Sequence, residues 1–299
     1  MMNKLKSLFK KEQGNVIVLT SLAFTALIGL TGLVIDGGSL YMTKTHLQKV
    51  ANATALSGAQ ELTGETETIK KIVDDVLNSH HEIASLEQLE IENHSITVEL
   101  KKPVHFNFIT LFGFDTLDVR AQATARLGTM GRAYGAAPLG IDESIPLEYG
   151  VIYDLKVDEQ GVNIGNFGIL RLEGPGAQVY EDNLKYGFDG ELKVGDIVYT
   201  QPGNIAGKTR EAVDYLVTTC DSPEDRTCRR VLLIPVIKPQ HKQGGSMPVE
   251  IKGFAYFYLT EQDSEDDKTV RGYFLERAGT GFEEPGASNK GAYTIRLSE

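Results

Sequence analysis

Residues 16–35 read VIVLTSLAFTALIGLTGLVI, an apolar run without one charged side chain. At about 1.5 Å of rise per residue, a helix of this length spans about 30 Å, the thickness of a bilayer's hydrocarbon core. Thr20, Ser21, Thr25 and Thr31 suit such a span, because their hydroxyls can bond back to helix carbonyls. A buried core helix rarely goes so long without a charge. A cleaved secretory signal has a shorter apolar region and ends at once in a small-x-small site. Here Asp36, Gly37 and Gly38 come next, and the nearest good triplet, Ala53-Thr54-Ala55, lies well downstream. The pattern predicts one retained membrane helix, and no second run approaches its length.

Beyond Asp36 the spacing stays helical. Leu40, Leu47, Val50, Ala51 and Leu62 fall near one stripe, with Lys44, His46 and Lys49 free to face water. Gly37-Gly38 costs about 1 kcal/mol per glycine relative to alanine in a helix, which predicts a soft joint. Gly64 is a plausible helix stop. A second helix is predicted over Thr66–Ser79, where Ile69, Ile72, Val73, Val76 and Leu77 make an apolar face. Strands are predicted at 95–100, around Ile96, Val98 and Leu100, and at 117–126, around Leu117, Val119, Ala121, Ala123 and Ala125. Between them Phe106, Phe108, Ile109, Leu111, Phe112 and Phe114 form an aromatic-rich segment, a short helix or loop suited to packing on the first helix.

Gly128, Gly131, Gly135 and Pro138 interrupt the pattern and suggest a domain boundary. The remainder of the chain is β-rich and turn-rich. Strand candidates lie at 151–157, 168–172, 196–200, 231–237, 249–259, 269–276 and 292–297, with one helix at 209–216. Gly174-Pro175-Gly176, Gln201-Pro202-Gly203 and Gln243-Gly244-Gly245 are turn material. Strands at this spacing suggest a barrel or a sandwich. The expected fold class is α+β: a basic tail at 1–15, a transmembrane helix at 16–35, a helical and small-sheet unit at 36–127, and a β-rich domain at 128–299.

Charge then sets an orientation. Lys4, Lys6, Lys10 and Lys11 against Glu12 give the first twelve residues a net +3, which places that end in the cytoplasm and the bulk outside. The whole chain carries −11, so residues 13–299 carry −11 − 3 = −14. A surface that acidic repels nucleic acid and anionic head groups. Cys220 and Cys228 close a short loop if the compartment is oxidising, a clip of about 2.5 kcal/mol by chain entropy, and are otherwise two free thiols.

The order of features at the N-terminus is specific. A charged start leads to Gly14, the apolar span, Val34-Ile35-Asp36, Leu40-Tyr41, Leu47-Gln48, Ala51-Asn52-Ala53, Ala55-Leu56 and Gly58-Ala59-Gln60-Glu61-Leu62. Residues 13–62 thus resemble the N-terminal domain of TadG-like proteins of the tight-adherence (Tad) or Flp pilus system. The stretch VHFNFITLFGFDTLDVRAQATARL is similar to the end of that unit, and residues 128–299 resemble the extracellular portion of some Gram-positive TadG-like proteins. The resemblance implies a non-catalytic, membrane-anchored component of pilus assembly: a minor pilus, tip or scaffold subunit with an exposed acidic domain. It implies no cofactor. Its partners would be the membrane and other pilus or platform subunits. Gly29, Gly32, Gly58, Ala59 and the many alanines would permit close helix approach to them.

Candidate chemistry is sparse. There is no Gly-x-Ser-x-Gly elbow, Walker A loop or His-Glu-x-x-His helix, and the six histidines are dispersed apart from His80-His81. Leu192-Lys193-Val194-Gly195-Asp196 is similar to the strand entry of signal peptidases but lacks the upstream serine. Asp142-Glu143-Ser144-Ile145-Pro146 lacks the second serine of a von Willebrand A metal site. Asp263, Glu265, Asp266 and Asp267 could offer oxygens to calcium, though without the glycine-bearing geometry of a known calcium loop. The alternatives to pilus assembly are a membrane-anchored envelope hydrolase or processing factor, and an envelope binding module unrelated to pili.

Pseudopilins cut by a prepilin peptidase carry a glutamate five residues after the cleavage-site glycine; after Gly14 that place holds Leu19. Mass spectrometry of the mature protein should therefore find peptides from before Gly14. A mature N-terminus at Asn15 would instead show prepilin-type cleavage, which leaves the span in place and brings the protein closer to a pseudopilin.

Overall fold

The computed structural model of the protein describes residues 13–156, 167–201, 205–240, 246–261 and 269–298. Helix α1 runs unbroken over Gln13–Gln60, so the apolar run and its amphipathic continuation are one element. Gly37 and Gly38, expected to form a joint, are helical, with nothing within 4 Å of a Cβ built on either. Their propensity cost of about 2 kcal/mol together is outweighed by cooperative hydrogen bonding on both sides. The helix ends before Gly64, which closes the next turn through its amide on the Glu61 carbonyl, 2.8 Å. Helix α2 is Thr66–Ser79 as predicted; it buries Ile69, Val73 and Leu77 at a spacing of four.

The chain forms two compact units. One comprises Met1–Ala55, Asp74–Glu90 and Thr97–Thr124; the other comprises Leu56–Val73, Ile91–Ile96 and Ala125–Glu299. In the first, β1 (Leu86–Ile91), β2 (Ser95–His105) and β3 (Thr116–Ala133) are neighbours in that order. Val98 and Leu100 of β2, and Val119, Ala121 and Ala123 of β3, are buried in strict alternation. Leu117, grouped with them by pattern, is half exposed. Helix α1 comes close enough to β3 for Lys44 Nζ and Gln48 Nε2 to donate to the carbonyls of Arg120 (2.5 Å) and Gln122 (2.7 Å). Small buried side chains on both elements, Ala51 and Ala55 on one and Ala121 and Ala123 on the other, suit that approach.

β3 continues through Gly128 and Gly131 to Ala133, past the break the glycines suggested. Their role lies within the second unit. A Cβ at Gly128 would meet the Glu283 carboxyl at 1.5 Å, and one at Gly131 would meet Glu284 Cβ at 2.5 Å. Glycine there lets a neighbouring segment lie against the strand.

The rest of the second unit carries β4 (Leu139–Asp142), β5 (Ile152–Lys156), β6 (Phe167–Arg171), helix α3 (Ala177–Tyr186), β7 (Leu192–Lys193), β8 (Ile197–Thr200) and helix α4 (Ala206–Val217). It continues with β9 (Val231–Pro239), β10 (Pro248–Leu259), β11 (Thr269–Leu275), β12 (Arg277–Ala278), β13 (Phe282–Glu283), β14 (Ser288–Asn289) and β15 (Ala292–Ser298). The order β10-β8-β6-β4-β9 closes on itself, because β9 also pairs with β10; this ring is a barrel, with β11 and β5 added outside it. β7, β13 and β15 join β3, and β12 pairs with β15.

β10 serves two cores. Val249 and Ile251 share one with Phe254 and Tyr256, although the first pair is odd-numbered and the second even. A bulge explains it: Ile251 faces Ile237 and Gly253 faces Val236, so Lys252 is an extra residue that shifts the side-chain parity. Past the bulge, Ala255, Phe257 and Leu259 turn to the other core, beside Ala212, Val213 and Leu216 of α4.

Among the described residues of the first unit, one glutamate is buried. Glu82 accepts from Lys102 Nζ at 2.5 Å and Ser85 Oγ at 2.5 Å, and lies 3.2 Å from His46 Nε2. Burial raises its pKa, but the Lys102 and Ser85 bonds and the nearby positive charges together hold it below the usual value of 4.5. A depressed folded pKa contributes stability above the unfolded value and loses it as pH falls through the folded one. Glu82→Gln should cost about 1–3 kcal/mol near neutral pH, as Lys102 and Ser85 lose their charged acceptor. In thermal melts the gap between the two proteins should hold down to about pH 5 and close below it. A gap that is unchanged in acid would show that the charge contributes nothing.

Candidate functional site

The segment that carries the resemblance is α1, and its two faces differ. Gly32 and Asp36, then Leu47, Val50, Ala51, Thr54, Ala55, Gly58 and Ala59 are buried, a stripe at spacings of three and four. Elsewhere residues 16–35 are exposed, and Thr20, Ser21, Thr25 and Thr31 return their hydroxyls to carbonyls of the preceding turn. Length and composition make this a candidate membrane span, with 6% of its most apolar window buried.

Within the first unit, the segment after β2 crosses the end of this span. The Asp36 carboxylate accepts the amides of Asn107 (2.8 Å), Phe108 (2.9 Å) and Ile109 (2.8 Å), at the start of a short 3-10 turn, Ile109–Phe112. Burial alone would raise the Asp36 pKa, but these amides outweigh it and hold the group ionised below its ordinary range. One turn back, a Cβ at Gly32 would lie 2.5 Å from Phe108 Cγ. Gly32 and Asp36 thus make a cradle, one by absence of a side chain and the other by its charge.

Within the second unit, a Cβ at Gly58 would meet Ile96 Cδ1 at 2.6 Å and Val73 Cγ2 at 3.3 Å. Gly58 and Ala59, offered by the sequence to a partner subunit, are therefore buried within the chain itself, and so is Gly32. Gly29 is open. Leu40, Gln48, Ala53 and Leu56 are half-buried, Tyr41 and Met42 are more than 70% exposed, and Gly14 lies in the first turn of α1.

Cys220 and Cys228 are bonded, with Cα atoms 5.4 Å apart. Arg226, inside that loop, has no sequence signature, because a charged loop residue signals only solvation. Its guanidinium donates to the carbonyls of Gln60 and Ala278 and to Glu61 Oε1, and so caps the C-terminal end of α1. Arg277 holds the same loop through the carbonyls of Pro223 and Asp225, at 2.7 and 3.1 Å. A cleft of about 490 Å³ lies here, lined by Arg226, Cys228, Tyr256, Arg277, Thr280 and Thr294.

The remaining candidates are local. Asp196 Oδ2 accepts the Lys193 amide at 2.9 Å, a turn into β8, and Asp142 Oδ1 accepts Ser144 at both N and Oγ. Among the described residues no group of three or more His, Cys, Asp or Glu is placed to hold a metal. Asp263, Glu265, Asp266 and Asp267, and the lysines ahead of the span, lie outside the described residues.

No curated protein and no solved structure matches the chain. A family model does match, over residues 14–61, which is nearly the whole of α1 and includes both the span and the stripe. The model is described as Flp pilus-assembly TadE/G-like, so residues 14–61 are similar to that domain, consistent with a TadG-like protein.

Proposed function

We propose that the protein is a non-catalytic, membrane-anchored component of Tad/Flp-type pilus assembly, a minor pilus, tip or scaffold subunit with its acidic β-rich unit outside the cytoplasm. The observation that carries this is the coincidence of the pilus-assembly match, residues 14–61, with a helix that is apolar and bare over its first half. Its small-residue stripe is already occupied by its own chain. Partner subunits would then meet the opposite side, where the apolar positions of the span lead into Tyr41 and Met42. The acidic composition and the lysines ahead of the span support the orientation.

The test begins with deletion of the gene, which should abolish or sharply reduce surface pili; normal piliation would overturn the reading. Tyr41→Ala with Met42→Ala should leave abundance and melting temperature unchanged, because both side chains are exposed. Recovery of co-purifying Tad components should fall about tenfold or more, as expected for a loss of about 1.4 kcal/mol in contact. Unchanged recovery would remove this face as the contact.

Orientation has its own check. In a background without Cys220 and Cys228, a cysteine at Asn93, an exposed turn position, should react with a membrane-impermeant thiol reagent in intact cells, and one at Ser7 should not. The reverse pattern would invert the topology.

A further inference from the structure

The cradle on α1 sets a depth as well as a contact. Gly32 belongs to the uncharged run, four residues before Asp36, so it lies roughly 6 Å inside the end of the span. Phe108 sits directly on it. The segment holding Phe108 therefore shares the level of the last turn of the span.

A non-helical chain can occupy such a level only when its backbone groups are satisfied, since an unpaired amide in hydrocarbon costs several kcal/mol. Five amides of this segment find partners within the first unit. Asn107, Phe108 and Ile109 donate to Asp36, Phe106 donates to the Asp115 carbonyl at 3.1 Å, and Gly113 donates to the Thr110 carbonyl at 3.0 Å. The Thr110 hydroxyl returns to the Asn107 carbonyl at 3.3 Å. Phe114, just beyond, is 64% exposed, a large apolar side chain with little protein cover. Asp115, the next residue, is exposed and returns the chain to polar surroundings.

The geometry points to a hydrophobic foot: the segment from Phe106 to Phe114 lies in the membrane interface beside the span, with Phe114 in contact with lipid. The occupant is the bilayer because the segment is continuous with the span through Gly32 and Asp36. The inference rests on residues 16–35 being embedded. It gives the first unit a second attachment to the membrane and thereby a fixed height above it.

The chain has no tryptophan, so a single substitution makes a reporter. Full-length Phe114→Trp would be reconstituted in phosphatidylcholine vesicles with and without bromine on the acyl chains, free of any partner protein. Leu27→Trp would report the middle of the span, and Tyr186→Trp, 62% exposed in the second unit, the solvent. Phe114→Trp should emit at short wavelength and lose most of its emission to brominated lipid, as Leu27→Trp should, while Tyr186→Trp should not. Quenching at Leu27 without quenching at Phe114 would overturn the foot and leave the anchor in place. Absence of quenching at both would remove the anchor and the foot with it.

Discussion

A carboxylate at the end of an uncharged span has few ways to exist. Taking an isolated charge out of water costs far more than a domain's net stability, so a buried Asp must collect donors or lose its charge. Asp36 collects three backbone amides from one short segment, 71 to 73 positions ahead in the chain. That single arrangement ends the apolar run, tethers the aromatic segment, and forces Phe108 onto the helix face one turn back. The last demand explains Gly32, since any Cβ there would occupy the ring's place.

The second unit answers a different constraint. Its longest barrel strand, β10, must supply residues to two cores, and a regular strand offers each core every second position. The extra residue at Lys252 breaks that rule once and changes which side chains face which core. The result is a strand buried continuously from Gly253 to Leu259, which sequence periodicity alone reads only as apolar. Helix α4 covers one side of it through Ala212, Val213 and Leu216.

Much of this architecture is legible in the sequence, and the gaps have physical causes. The span declares itself by the absence of charge, α2 by its spacing, and most barrel strands by apolar runs between turn residues. Gly58 and Ala59 suggest a partner because a small-residue pattern reports close approach without saying what approaches; for Gly58 it is Ile96 and Val73. That β3 runs on through Gly128 and Gly131 is hidden because the glutamates at 283 and 284 that need the space are more than 150 positions away. Strand β1, LEQLEI, escapes the pattern because its positions are half-buried or exposed and rich in acid and amide. Helix α3 escapes it because its apolar residues are few: Tyr180 and Leu184 anchor it beside a buried Glu181 that pairs with Lys185 and Lys208. Of the candidate site, Asp36 is readable as a landmark, but its partners are not, since backbone amides leave no trace in a sequence.

The contacts along α1 in the first unit have a rotational consequence. Gly32 and Asp36 hold one segment, and Lys44 and Gln48 hold β3, over sixteen residues or about 24 Å of helix on a single side. Two attachments so far apart remove the freedom of the span to spin about its own axis beneath the unit. Its azimuth is therefore specified: in any array of such helices each copy must present the same bare flank to its neighbours, and a turn of one helix obliges the first unit's sheet to turn with it.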